Sequence, residues 1–205
     1  MNREMRAKSE RMQTGAASRR KTYDMAYIGL FVGVMTVCSW ISIPTAVPFT
    51  MQTFAIFLAV TILGGRRATL AVVVYLLIGA AGVPVFAEFS AGLRVPFGTT
   101  GGYLIGFVFA TLFMWLMESL FGRKHWVQIL SMLLGMVIYD IVGTIWFMIV
   151  YGNTNGPVSL LTALGWCVIP FVLPDLVKAA LAFGFGNALR KPLAGIMQEQ
   201  YGKNS

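Results

Sequence analysis

Cut at its charges and turn residues, the chain falls into apolar runs at about 25–43, 51–63, 68–87, 101–121, 127–151 and 160–190. A membrane-spanning helix needs about 20 mostly apolar residues. By that measure the second run is short and the last is long. The second reaches full length only by recruiting Val47 to Thr50 or by ending in a non-helical segment. Pro44 and Pro48 oppose a continuous helix from the first run into the second, because proline lacks an N–H and disfavours helix in the residue before it. Pro170 and Pro174 divide the last run. They predict a short outer helix or re-entrant piece near Leu160–Trp166, with the span proper beginning near Pro170. The pattern predicts an all-α integral membrane protein of six transmembrane helices.

Charge fixes the orientation. Seven of the 16 Lys and Arg residues precede residue 22. Arg66 and Arg67 lie between spans two and three, Arg123 and Lys124 between four and five, and Arg190 and Lys191 after six. With six spans all of these share one side, joined by Lys203, while the opposite loops hold only Arg94, beside Glu88. An excess of Lys and Arg marks the cytoplasmic side, so both termini are expected in the cytoplasm of a bacterial cell. Residues 1–22 read as a basic, disordered cytoplasmic arm, 23–192 as one membrane domain and 193–205 as a cytoplasmic tail. The run behind the basic arm is too long for a signal peptide and has no small-residue exit, so it reads as a helix that stays.

Composition agrees: 57% of residues are hydrophobic and 12% charged, where a soluble domain has about a quarter charged. The net charge of +8 concerns orientation rather than nucleic acid. Two cysteines, Cys38 and Cys167, each in an apolar stretch, exclude a disulfide framework and read as small buried hydrophobes. His125 sits in a basic inner loop. No H-E-x-x-H, G-x-S-x-G, Walker A lysine or Cys/His cluster occurs, so neither catalysis nor ATP hydrolysis is expected, and no metal or other cofactor.

Ionisable residues inside spans are the candidates for function, because a charge at mid-bilayer costs at least about 2.5–3.5 kcal/mol. Glu118, one turn from the inner boundary, is expected to snorkel or to pair with Arg123. Asp140 lies mid-span and must face protein or water; helix pairing and a binding role both remain open. Asp175 and Lys178, three apart, share a helix face. They sit about 23 Å before Arg190, at 1.5 Å per residue, in the outer third of the core. Pro174 suggests that Asp175 belongs to a first helical turn, where the helix dipole favours a carboxylate. The pair is either self-neutralising or a site offering an acceptor and a cation to a polar ligand. Thr50 and Gln52 enter span two at the same level. Gly98-Thr99-Thr100-Gly101-Gly102-Tyr103 opens span four, where Gly101 and Gly102 permit close backbone approach to a ligand or simply close helix packing.

Taken in order, four motifs carry a resemblance: Ile43-Pro44 with Val47-Pro48-Phe49-Thr50-Met51-Gln52-Thr53-Phe54; Leu63-Gly64-Gly65-Arg66-Arg67 with Tyr75 to Phe86; Gly98 to Phe107; and Pro174-Asp175-Leu176-Val177-Lys178-Ala179. Over about residues 23–192 the chain resembles the BioY family, the biotin-binding S components of energy-coupling-factor (ECF) transporters. Thr99 departs from it, standing where the family motif has proline. The resemblance implies a six-helix subunit that captures biotin from outside and docks on a transmembrane coupling subunit driven by two cytoplasmic ATPases. It carries the family's aspartate and lysine onto Asp175 and Lys178. Asp175 is then expected to accept from the ureido ring of biotin, with Lys178 pairing with it or reaching the carboxylate, and Gln52 and Tyr103 assisting. The family's small-x-x-x-small docking motif falls on Gly29-x-x-x-Gly33, for which packing inside the bundle is the alternative. Competing readings are an S component for another vitamin and a stand-alone proton-coupled carrier using Asp140 and Asp175.

Overall fold

The computed structural model describes residues 2–44 and 47–202, with side chains placed for 21–44, 47–190 and 192. Helix α1 spans Asn2–Trp40, followed by two short strands, β1 (Ser42–Ile43) and β2 (Phe49–Thr50). These pair antiparallel, Ser42 opposite Thr50 and Ile43 opposite Phe49. Then come α2 (Gln52–Leu63), α3 (Gly65–Ala80), a 3-10 turn (Ala87–Phe89), α4 (Arg94–Phe97), α5 (Gly101–Phe121), α6 (His125–Asn155), α7 (Leu160–Cys167) and α8 (Ile169–Gly202).

Among the described residues, four stretches are long and apolar enough to cross a bilayer unaided: Lys21–Trp40, Gly101–Phe121, His125–Asn155 and Leu160–Arg190. The second and third predicted runs form α2 and α3, only 12 and 16 residues long. Gly64 separates them: its φ of +90° is open to glycine at little cost and breaks the helix without a linker. The β-pair flanks Pro44 and Pro48, and α2 starts at Gln52, so Val47 to Thr50 add no helix to it and the non-helical alternative holds. Helix α1 is continuous from Asn2, through the segment read as a basic arm. Extending an existing helix gains one hydrogen bond per residue and needs no new nucleus.

The prolines of the last run act as expected in one respect and not in another. Helix α7 is a separate short piece, its start capped by Ser159 Oγ, which accepts from the Thr162 N–H at 3.2 Å. The helix holding Asp175, however, begins at Ile169, so Asp175 is in its second turn and not its first. Pro174 is tolerated inside α8; the carbonyl it leaves without its i→i−4 donor is that of Pro170, in the opening turn of the helix.

Helix α5 lies along α6, α2 along α8, and α3 against both α1 and α5. The interior is filled by Met35, Phe57, Tyr75, Phe86, Met114, Met132 and Phe147. Outward-facing Leu77, Leu116, Ile141, Ile145, Leu173 and Leu181 stay exposed, as a bilayer permits and water does not. The connection after α3 is tied down from below. Ser39 Oγ and Tyr75 Oη donate to the Val85 carbonyl at 2.5 and 2.8 Å, and Trp40 Nε1 to that of Pro84 at 3.0 Å. That connection is thereby held as a roof over one end of the bundle.

Candidate ligand-binding site

Beneath this roof lies a cavity of about 580 Å³, within the range usual for small-molecule sites. Helix α2 brings Gln52 and Thr53 to it, α5 brings Tyr103 and Phe107, α6 brings Tyr139 and Asp140, and α8 brings Phe171, Asp175 and Lys178; Phe49 and Thr50 come from β2. The roof adds Glu88 and Arg94. Glu88 and Phe89 adopt left-handed backbone angles, φ 57° and 56°, which cost non-glycine residues on the order of 1–3 kcal/mol each. Packing of the Phe89 ring on Trp40, with centroids 4.8 Å apart, and a hydrogen bond from Phe86 N–H to the Ser90 carbonyl hold them there.

Asp175 and Lys178 are 6% and 4% exposed, and Lys178 Nζ donates to Asp175 Oδ1 at 2.8 Å. Two charges removed from water need every remaining lone pair and proton satisfied. Asp175 also accepts from Thr53 Oγ1 at 3.1 Å and from Tyr139 Oη at 2.7 Å. Lys178 donates to the Thr50 carbonyl at 2.6 Å and sits 3.8 Å from the centroid of the Phe49 ring. With three donors on it, Asp175 has little acceptor capacity left; Lys178 has three N–H groups and spends two on these oxygens.

Two other groups are unspent. Gln52 is 4% exposed, and its Nε2 has no hydrogen-bond partner among the described residues. Leaving such a donor buried and unpaired costs about 1–3 kcal/mol. Asp140 faces the cavity half-buried and forms no hydrogen bond or ion pair among the described residues. Tyr103 is partly engaged, 3.3 Å from Thr144 Oγ1 and 3.5 Å from the Cys167 carbonyl. A ligand entering here meets the Lys178 ammonium, the Gln52 amide, the Asp140 carboxylate and aromatic walls, with Glu88 and Arg94 at the roof.

The structure therefore brings together Thr50, Gln52, Tyr103, Asp175 and Lys178. It places Gly101 and Gly102 elsewhere: neither lines the cavity. A Cβ on Gly101 would collide with the Pro96 backbone, and one on Gly102 with the Trp146 side chain. Both glycines serve close packing, the alternative that the spacing left open. Gly29 and Gly33 lie on the exposed face of α1, where an added Cβ meets nothing within 4 Å, so they do not pack inside the bundle. Sequence reasoning passed over Tyr139 and Thr53, which complete the Asp175 cluster. Thr53 was visible as a hydroxyl one residue past Gln52; nothing in the spacing marks Tyr139 beyond its neighbour Asp140. Arg94, read only as a stray outer charge, borders the cavity.

The fold and site define an all-helical membrane protein with a walled, partly polar cup at one end. Its sequence matches the BioY family model over residues 7–195, and the chain belongs to the BioY family. It is 36% identical over 164 residues to the "Biotin transporter BioY" of Thermotoga maritima, which covers 80% of this chain and 93% of that one. It is 35% identical over 176 residues to "Biotin transporter BioY2" of Lactococcus lactis, covering 85% and 93%. A crystal structure of the S-component for biotin from an ECF-type ABC transporter superposes with a TM-score of 0.74 at 25% identity, over 84% of this chain and 93% of that one.

Proposed function

We propose that the chain takes up biotin as the membrane-embedded binding subunit of an ECF transporter in the bacterial cell membrane. It captures the vitamin from the outer side and passes it inward with a transmembrane coupling subunit and two cytoplasmic ATPases. The observation carrying this reading is the cup itself: a buried ammonium held by Asp175, an unpaired Gln52 amide and an unpaired Asp140 carboxylate around one apolar space. Biotin offers a ureido ring with two N–H donors and one carbonyl and an apolar thiophane ring, which that set can meet, and a carboxylate for Arg94 at the rim. The names of the related transporters support the same ligand. As a BioY-family member the chain is a substrate-binding subunit and not an enzyme.

The saturation of Asp175 changes the roles expected from the resemblance. Asp175 is the positioning residue that fixes Lys178, and Asp140 is the acceptor for the ureido N–H groups. Gln52 Nε2 and the remaining proton of Lys178 serve the ureido carbonyl. Arg94, at the rim, takes the carboxylate. Thr50 acts through its backbone carbonyl, and Tyr103 closes the wall.

Six membrane crossings fit if α2 is completed by the β-pair and α3 by its flanking turns, with both termini inside by the distribution of Lys and Arg. The exposed Gly29/Gly33 face of α1 is then a surface on which the coupling subunit can approach closely.

Isothermal titration of the purified protein with biotin, riboflavin and thiamin tests the ligand. Binding of biotin alone is the expected result. Preference for riboflavin or thiamin, or no response to any of the three, overturns the reading. Crosslinking of Gly33→Cys to a coupling subunit tests docking, and labelling of N- and C-terminal cysteines from each side tests orientation.

A further inference from the structure

The end of the bundle opposite the cup holds a second opening. From Tyr103 to Glu118 is 15 residues of α5, about 23 Å of helix, and at Glu118 the α2–α3 turn meets the end of α5. A cleft of about 450 Å³ opens there, lined by Arg66, Arg67 and Arg123, by Asp24 and Glu118, and by apolar residues including Leu70 and Trp115.

Its acids are already committed. Asp24 Oδ1 pairs with Arg67 Nη2 at 2.8 Å. One oxygen of Glu118 accepts from the Gly65 N–H at 2.5 Å, at the start of α3. The other lies 2.7 Å from Arg123 Nε, an ion pair lacking hydrogen-bond alignment. Arg66 is exposed and has no hydrogen-bond or ion-pair partner among the described residues. Burial lowers the pKa of Arg123; Glu118 opposes that shift, while Arg190 and Arg67 add to it. Positive charge therefore exceeds negative around the cleft, and most guanidinium N–H groups of Arg66 and Arg67 are free.

The apolar side of the cleft identifies the class of anion. Leu70 and Trp115 are 45% and 37% exposed, on the membrane-facing sides of α3 and α5. A free phosphate would have no use for them, whereas a lipid needs both a basic head site and an apolar strip running from it. Trp at this depth is typical of a membrane–water interface, and basic pockets between spans on the cytoplasmic side suit acidic headgroups.

We propose that this cleft binds an anionic phospholipid of the inner leaflet, with its phosphate held by Arg66 and Arg67 and an acyl chain along Trp115 and Leu70. The lipid would steady the α2–α3 turn against α5, independently of what the cup binds.

Quenching of tryptophan fluorescence by brominated lipids in mixed micelles tests this, with Trp115→Phe isolating the contribution of that ring. Brominated phosphatidylglycerol is expected to quench the Trp115 component at lower mole fraction than brominated phosphatidylcholine. Each arginine contributes about five-fold to the preference. Arg66→Gln, which leaves both ion pairs intact, should remove about five-fold, while Lys124→Gln, outside the cleft, should not. Equal loss in Lys124→Gln would mean diffuse surface attraction and overturns the proposal. So does equal quenching by the two lipids. Abolition of the preference by millimolar inorganic phosphate at constant ionic strength would mark a free-anion site instead, and also refutes the lipid assignment. Biotin titration of Arg66→Gln should match the wild type, so a failure here is distinguishable from a failure of the cup.

Discussion

Replacing Asp175 by asparagine should separate what the buried pair does for folding from what it does for the ligand. The substitution keeps shape but removes the carboxylate paired with Lys178 Nζ at 2.8 Å, in a place where the lysine is 4% exposed. Breaking one side of a buried pair typically costs about 3–5 kcal/mol, because a charge is left uncompensated. Part is recovered here, since Lys178 keeps the Thr50 carbonyl and the Phe49 ring, so about 3 kcal/mol is expected. Thr53 Oγ1 donates to Oδ1 and Tyr139 Oη to Oδ2 of Asp175, so the amide oxygen keeps only one of these donors, now as a neutral and weaker bond, while the amide nitrogen faces the other hydroxyl. Adding Lys178→Met should restore most of the lost stability, as apolar replacements of buried pairs often do. It should not restore binding. Losing a charge-assisted donor to the ligand costs about 1.5–3 kcal/mol, or about 10- to 100-fold in biotin affinity. Thermal unfolding in detergent reads the first quantity and isothermal titration the second. A double variant no more stable than Asp175→Asn alone, or one that binds biotin like the wild type, would refute the reasoning.

Asp140→Asn should leave stability unchanged or raise it, because the carboxylate has no partner to lose, while biotin affinity falls about ten-fold or more. Titration with an N-methylated ureido analogue should then no longer distinguish it from the wild type; a variant with full biotin affinity removes Asp140 from the site. Gln52→Leu should stabilise the ligand-free protein by about 1 kcal/mol, by removing a buried unpaired donor, and weaken biotin about ten-fold. Unfolding with and without biotin reads both, and a destabilised free protein means that the amide has a partner. Gly102→Ala should destabilise by about 1–3 kcal/mol through overpacking against Trp146, with biotin affinity at 20 °C little changed. A selective loss of affinity would return Gly102 to the binding site.

What the sequence made legible follows the reach of each physical rule. The apolar runs at 25–43, 101–121 and 127–151 became the Lys21–Trp40 part of α1, α5 and α6 because hydropathy over 20 residues averages out local detail. The helix break at Gly64 could be read only as a loop, since its left-handed φ is a property of one residue. Asp175 and Lys178 were visible because three-residue spacing on a helix places side chains together whatever the fold. Their partners were not: Thr53 lies 122 positions before Asp175 and Tyr139 lies 36 before it, and no periodicity relates residues on different helices. The first-turn placement of Asp175 failed for a related reason. Proline is common at a helix start but is also tolerated one turn in, and sequence alone does not choose.

The buried pair on α8 connects several elements at once. Asp175 is engaged by α2 through Thr53, by α6 through Tyr139 and by its own helix through Lys178, so one carboxylate ties together three helices. Lys178 in turn reaches back to β2 through the Thr50 carbonyl, linking the α8 cluster to the short strand at the entrance. A buried ion pair is weak evidence for stability, and this one is placed where it is costly and where a single displaced hydrogen bond would be felt by α2, α6 and the β-pair at once. A ligand carbonyl drawing on Lys178 would weaken its hold on Thr50 while leaving Asp175 anchored. Loading of the cup would therefore bear first on β2 and the start of α2.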